Sequence, residues 1–180
     1  LELIYSPQEG ATTLFDVVDR TSSPMGARTL KKWIVLPLKD MRAIQERHAG
    51  VEYFIKNPEE RSLIKQQIKA IGDLERLITK VPMAKIGPRE VVQLKFSLEA
   101  IKPIVETLSA GGPESLKKAA DQLNPCQQLI DKIEREVKDD SPAVLAKGDV
   151  IEEGVSADLD ELRTIIRSGK EVILDIQQRE

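Results

Sequence analysis

The run Leu14–Leu38, LFDVVDRTSSPMGARTLKKWIVLPL, holds two helical faces with a charged break between them. Leu14, Val17 and Val18 recur at helical spacing, and the pattern stops at Asp19-Arg20-Thr21-Ser22. Ser23 is suited to cap a second helix, because its hydroxyl accepts an otherwise orphaned N–H. Pro24 fits the first helical position, where the missing N–H has no partner to lose. Leu30, Trp33 and Ile34 then give that helix an apolar face. Pro37 ends it, since the residue before a proline is driven out of the α region. The spacing therefore predicts a tight helix–turn–helix with Asp19, Arg20 and Arg28 in or near its elbow. As isolated surface charges these three would form an ion-pair network worth ~0–1 kcal/mol.

Upstream, Leu1–Tyr5 has the loose alternation of a short strand or extended entry, and residues 7–13 read as loop. Downstream, Asp40 is placed to cap a helix with Ile44, Val51, Phe54 and Ile55 on its face. Asn57-Pro58-Glu59-Glu60 predicts a stop and an immediate restart, with Asn57 as the cap and Glu60 as the capping-box carboxylate. Leu63, Ile64, Ile68 and Ile71 face inward on the next helix, Gly72 ends it, and Asp73 caps another that Pro82 terminates. From Pro88, the positions Val91, Leu94, Leu98, Ile101, Val105 and Leu108 step by three and four. That is one apolar stripe on a single long helix, kinked at Pro103 where a backbone N–H is lost. After Gly111-Gly112-Pro113 come two shorter helices, one with Leu116 and Leu123, the next with Cys126, Leu129, Ile130, Ile133 and Val137 inward.

In residues 139–155, Val144-Leu145, Val150-Ile151 and Val155 are separated by Gly148 and Gly154, the pattern of a small β-hairpin. Ser156 is placed to cap a final helix whose Leu159, Leu162, Ile166, Gly169, Ile173 and Ile176 run close to a heptad seam. No stop signal occurs at Gln178-Arg179-Glu180, so that helix is expected to continue in a longer chain. The expected fold is all-α: an irregular bundle of roughly seven to nine helices, a short β-element near each end, and a long exit helix.

Composition narrows the function. A net charge of -3 and a pI of about 5.5 are the wrong sign for a chain that grips nucleic acid unaided. Arg28, Lys31 and Lys32 make only a local basic cluster, and one Trp, two Tyr and three Phe are too few for a base-stacking platform. Cys126 is the single cysteine, so no internal disulfide forms, and its place on an apolar helical face predicts an inert core thiol. The longest apolar run, Trp33–Leu38, is far below the ~20 residues a membrane span needs. With no signal peptide visible and Leu1 rather than Met at the start, a processed piece or fragment from the cytoplasm is expected. His48, the only histidine, has no partner at metal-ligand spacing and is expected to be a partly buried structural residue. No Gly-rich loop ends in Gly-Lys-Ser/Thr, and Ser22-Ser23 lack a neighbouring base. The acidic pairs Asp139-Asp140 and Glu152-Glu153 fit solvated turns. These residues by themselves predict no catalytic centre, no metal and no cofactor.

Three blocks carry a resemblance. Asp19-Arg20-Thr21, Pro24-Met25-Gly26-Ala27-Arg28-Thr29-Leu30, Trp33 and Pro37-Leu38 together resemble the opening of the core domain of the MutS family of DNA mismatch repair ATPases. Ile71-Gly72-Asp73-Leu74-Glu75-Arg76 and Pro88-Arg89-Glu90 resemble the second and third signatures of that core, in the same order. One departure stands out: Ala84-Lys85 and Gly87 occupy places where the family commonly has Gly-Arg and a small hydroxyl residue. No role needing a guanidinium passes to Lys85.

The resemblance covers the whole chain. It implies a core domain over residues 1–155 and the start of a lever helix over 156–180, leading to an absent clamp domain. It also implies that the mismatch-reading and nucleotide-binding domains lie elsewhere, so that this piece is not itself an enzyme and holds no cofactor. ATP and Mg2+, duplex DNA with mismatches, and a homodimeric state would belong to the parent protein, with the other domains of the same chain as immediate partners and no membrane. The implied structural and allosteric positions are Asp19, Arg20, Thr21, Met25, Gly26, Arg28, Trp33, Pro37, Asp73, Glu75, Arg76, Pro88 and Arg89. Of these, Asp73, Glu75 and Arg76 are expected to meet Arg20, Arg28 and Arg89 in a polar junction between helices, of the kind that can exchange partners. The competing expectation is a self-contained helical adaptor that binds partner helices through Ile166, Ile173 and Ile176.

Overall fold

Local caps start most of the helices where the sequence places them. The computed structural model describes residues 2–179, with side chains along the last helix described as far as residue 169. Thr13 caps α1 (Leu14–Val18), exchanging hydrogen bonds with Asp16. Ser23 Oγ accepts from the Gly26 N–H at 3.1 Å and opens α2 (Pro24–Val35), which stops before Leu36-Pro37. Asp40 caps α3 (Met41–Lys56) by accepting from the Ala43 N–H at 2.8 Å. Then follow α4 (Pro58–Ala70), α5 (Leu74–Lys80), α6 (Pro88–Glu99), α7 (Ile101–Ala110), α8 (Glu114–Asp121), α9 (Gln127–Glu136) and α10 (Ala157–Arg179). Ser156 caps α10, accepting from the Leu159 N–H. The chain is mostly helical, as an all-α bundle requires.

Several expectations need correction. The stripe from Pro88 is two helices rather than one, and the break is at Ala100, not at Pro103. Proline's ring and missing N–H disrupt the ladder toward the residue four places earlier, so the damage falls at Glu99 and Ala100, where the Ala100 N–H is shared between Leu98 and Phe96 carbonyls. This raises the described α-helices to ten. Asn57 does not cap α4. Its side-chain amide donates to the Tyr53 carbonyl and closes the end of α3 instead, while Glu60 accepts the Tyr53 hydroxyl.

No hairpin forms over residues 139–155 among the described residues. Val137 and Ile151 make a single antiparallel bridge, and Leu145–Lys147 is one 3₁₀ turn. The cause lies in the loop, since Ser141 is buried and its hydroxyl is bound to the Lys138 carbonyl at 2.5 Å, which folds the chain back too early for a ladder. The entry at residues 2–5 is likewise no strand, although the Leu14 and Phe15 N–H groups donate to the Glu2 and Leu3 carbonyls. Cys126 is exposed, not a core thiol: it precedes α9 in the left-handed region at φ 54°. His48 is also exposed.

Packing follows the apolar stripes. α7 lies on α8 and α4, α6 on α9 and α5, and α3 on α4 and α8. Ile64, Ile104, Leu108 and Ala120 close one core cluster, and Leu98, Ile101 and Ile130 close a second. Ile71 and Val105 touch both, so the two clusters form one continuous interior. The α7–α8 turn depends on its glycines. A β-carbon at Gly111 would stand 2.8 Å from the Tyr53 hydroxyl, and Gly112 holds φ +96°, a conformation that L side chains rarely adopt.

Inside α6, Lys95 is 3% exposed and its ammonium meets the Asp139 carboxylate at 2.5 Å. The partner lies just past α9, so this buried charge ties the 138–151 segment to the bundle. At the other end of that segment, Arg163 of α10 donates to the Ile151 carbonyl at 2.6 Å, and Asp160 accepts from the Gly154 N–H at 2.7 Å. Lys138 pairs with Asp149 rather than continuing the helix-surface pattern of α9.

Candidate functional site: a charged junction between the elbow helix and α5

Neither α1 nor α2 buries a single residue. The elbow is therefore a surface structure among the described residues. What holds it in place is largely polar. Asp19 closes the α1 end by accepting from both the N–H and the hydroxyl of Thr21, at 2.9 and 2.7 Å. Those two hydrogen bonds hold its carboxyl below the usual carboxylate range. Gly26 lets the start of α2 pack closely on the elbow, since a β-carbon there would sit 3.2 Å from Ser23 Oγ and 3.4 Å from Thr21 Cβ.

Arg28, one turn into α2, reaches across to α5. Its Nη1 and Nη2 donate to the two Asp73 carboxylate oxygens at 3.0 and 2.6 Å, and its Nε donates to Glu75 at 2.7 Å. This is the planar fork that a guanidinium offers and an ammonium cannot reproduce. Asp73 has a second task, for its Oδ1 also accepts from the Arg76 N–H at 3.3 Å and caps α5. One carboxylate thus fixes both the start of α5 and the position of α2. The Asp73 carboxyl is held below its ordinary value of 3.8, first by the Arg28 hydrogen bonds and then by the cap. Arg28 in turn is raised above its ordinary value by Asp73 and Glu75.

The turn that carries Asp73 is anchored from behind. Ser97 of α6 is 0% exposed; its hydroxyl donates to the Gln93 carbonyl at 2.8 Å and accepts from the Gly72 N–H at 3.1 Å. α5 is fastened to α6 a second time by the Lys80–Glu90 ion pair, and Glu90 also accepts from the Gly87 N–H at 3.1 Å. Arg28, Asp73, Ser97 and Glu90 therefore form a route from the elbow to the head of α6.

The structure brings together some of the sequence candidates and separates others. Arg28, Asp73 and Glu75 meet. Arg20 does not join them, and its guanidinium donates to the Asp19 carbonyl at 2.8 Å. Arg76 contributes its backbone N–H to the cap, and its side chain is exposed. Pro88 is buried at the first position of α6, whereas Arg89 points outward and, among the described residues, makes no ion pair. Trp33 is 45% exposed beneath the Arg47 guanidinium, 3.6 Å from the ring centroid. The Met25 carbonyl accepts from the Thr29 hydroxyl at 3.0 Å, and Pro37 is exposed after the end of α2. Ser97 and Lys80 escaped sequence reasoning. Ser97 carried one usable signal, a small hydroxyl residue in the middle of an apolar helix.

Because the Asp73 carboxyl is depressed, its ionic contribution to stability is complete above pH 3.8 and is lost as pH falls through the lower folded-state value. Urea midpoints measured from pH 6 down to pH 2.5 are expected to show a gap between the wild type and Arg28→Ala at the upper end. That gap closes in acid.

Comparison with known proteins agrees along the full chain. The model of MutS domain III matches residues 1–180. The chain is 51% identical to the DNA mismatch repair protein MutS of Phocaeicola vulgatus, 50% identical to that of Bacteroides fragilis and 48% identical to that of Parabacteroides distasonis. Each of these comparisons covers 100% of this chain and 21% of the relative, so the chain spans about a fifth of the length of the curated relatives it matches. With a full-length family match and about half of its residues shared with these repair proteins, the chain belongs to the MutS domain III family.

Proposed function

We propose that residues 1–180 act as the connector of a longer MutS-like mismatch repair ATPase, with residues 1–155 as its core and residues 156–180 as the start of its lever. In this role the piece neither reads mismatches nor hydrolyses nucleotide; it carries conformational change between the parts that do. The observation that carries the proposal is the Arg28 fork on Asp73 and Glu75. It joins a surface elbow with no buried residue to α5, and through Gly72–Ser97 to α6. Hydrogen-bond and salt-bridge networks of this kind are among the elements that carry coupling through discrete arrangements.

ATP and Mg2+ are assigned to the remainder of the parent. The one paired-glycine turn does not fit a phosphate, because Tyr53 fills the space beside Gly111-Gly112 and Pro113 has no N–H to donate. Mismatched duplex DNA, a second copy of the parent and a cytoplasmic setting belong to the same proposal. No helix among the described residues is long and apolar enough to cross a membrane. The adaptor alternative leaned on Ile166, Ile173 and Ile176. Ile166 is exposed, the other two side chains lie outside the described residues, and no observation favours that alternative.

A fluorescence-anisotropy titration of the 180-residue chain tests the division of labour. Perfect and G·T-mismatched duplexes are compared at low and physiological salt. The expected result is no binding, or weak binding that salt abolishes and that shows no mismatch preference. Tight, mismatch-selective binding would place recognition in these residues and overturn the proposal.

A further inference from the structure

We propose that the groove between the α1–α2 elbow, α3 and α4 seats an acidic amphipathic helix contributed by another part of the parent polypeptide. The cavity measures about 540 Å³. Phe54, Ile64 and Ile68 form its floor. Val51 and Ile55, on adjacent turns of α3, form one wall and are 59% and 67% exposed. The rim is basic. Arg61 and Lys65 stand one turn apart on α4, and Arg20 faces them from the elbow.

No Asp or Glu lines this groove, and among the described residues none of the three cations pairs with a carboxylate. Of the acids nearby, Glu52 is paired with Lys56, whereas Asp19 and Glu60 accept hydrogen bonds from Thr21 and from the Tyr53 hydroxyl and form no ion pair with the three cations. An apolar trough flanked by three cations that make no ion pair among the described residues matches a helix with apolar anchors at i, i+3/4 and i+7 and carboxylates on its flanks. The charges set the orientation and exclude basic segments, and the trough supplies the buried area.

The occupant is assigned to the same polypeptide because the matched relatives extend well beyond this region, which covers 21% of their length. A helix on the same chain is held at high effective concentration and fills a groove that a free peptide would occupy only weakly. The inference rests on the connector proposal, since it needs that longer parent.

The test is made in the intact parent, with a photoreactive benzophenone residue in place of Ile55. Irradiation, digestion and mass spectrometry are expected to give one dominant intramolecular cross-link, to a helix whose apolar face is flanked by Asp or Glu. Arg61→Glu combined with Lys65→Glu is expected to cut that yield about tenfold. These two side chains are exposed, and an unchanged circular-dichroism melt verifies that the variant folds. Reversing the acceptor helix's acids to Lys in that variant is expected to restore the yield. A cross-link to another protein, to a segment without acidic flanks, or without response to the charge reversals would overturn the inference, as would the absence of a dominant product. Mismatch binding is measured on the same samples. Its loss of nucleotide response speaks to the connector proposal, whereas the cross-link partner speaks only to the groove.

Discussion

Ile104→Ala is expected to lower the stability of the chain by about 3 kcal/mol. Ile104 lies on α7 where Ile64, Leu108 and Ala120 converge, and it is buried on every side. Removing its outer carbons loses their transfer free energy and leaves a cavity that Ala120 is too small to fill. For a domain of this size the loss corresponds to a melting temperature lower by about 6–12 °C. The effect is large because α7 is the shared element, packed on α8 and α4 and joined to α6. A scanning calorimetry trace gives the answer, and a shift below 2 °C would contradict close packing of Ile104 against Ile64, Leu108 and Ala120.

The second large effect concerns Lys95. Removing the Asp139 carboxylate leaves an ammonium inside α6 with no ionic partner, a change that costs roughly 3–5 kcal/mol in a dry interior. Asp139 itself is 60% exposed, so water reaches part of the pair and about 2 kcal/mol is expected for Asp139→Ala. Lys95→Met removes the buried charge together with the need for a partner, and its expected effect is neutral or stabilising. The double variant should match Lys95→Met alone. Urea denaturation of all three variants checks the set, and equal destabilisation by both single changes would show that the pair itself, not the stranded charge, controls stability.

How much of this was legible in sequence varied with the range of the interaction. Ser23, Asp40, Asp73 and Ser156 cap their helices as read, because capping is settled within three residues. The apolar steps of α6 and α7 are legible for the same reason, but the stripe reads as one helix kinked at Pro103, where the structure has two helices parted at Ala100. Proline acts on the turn before it, so Pro103 breaks the helix at Ala100. Residues 139–155 alternate like a hairpin, but Ser141 binds the Lys138 carbonyl three residues back and turns the chain early, and its burial is something spacing does not carry. Cys126 was assigned to an apolar face by periodicity, yet it stands one position before α9 begins. Lys95 sits beside the Val91-Leu94-Leu98 stripe, a sequence signal for a buried ammonium that needs an acid. Asp139, read as a solvated turn residue, is that acid.

The junction shows the same division. The sequence offers Asp73, Glu75 and Arg76 with Arg20, Arg28 and Arg89 as one junction, whereas the choice of Arg28 over Arg20 and Arg89 comes only from the fold. Arg28 and Asp73 are 45 positions apart, and no periodicity links them. The depth of the site was also invisible, since Ser97 enters it from behind through a backbone N–H.

The central claim, that these residues relay rather than read, is tested most directly in the intact parent. The affinity for a G·T-mismatched duplex is measured with and without ATP, in the wild type, Arg28→Ala and Arg28→Lys. Linkage requires that any coupling between the nucleotide and DNA sites appear in both affinities. The predicted result is an unchanged mismatch preference without nucleotide, and a nucleotide effect reduced about five- to tenfold in Arg28→Ala. Arg28→Lys should fall between, because an ammonium keeps the charge and loses the fork. An undiminished nucleotide effect in Arg28→Ala would contradict the account.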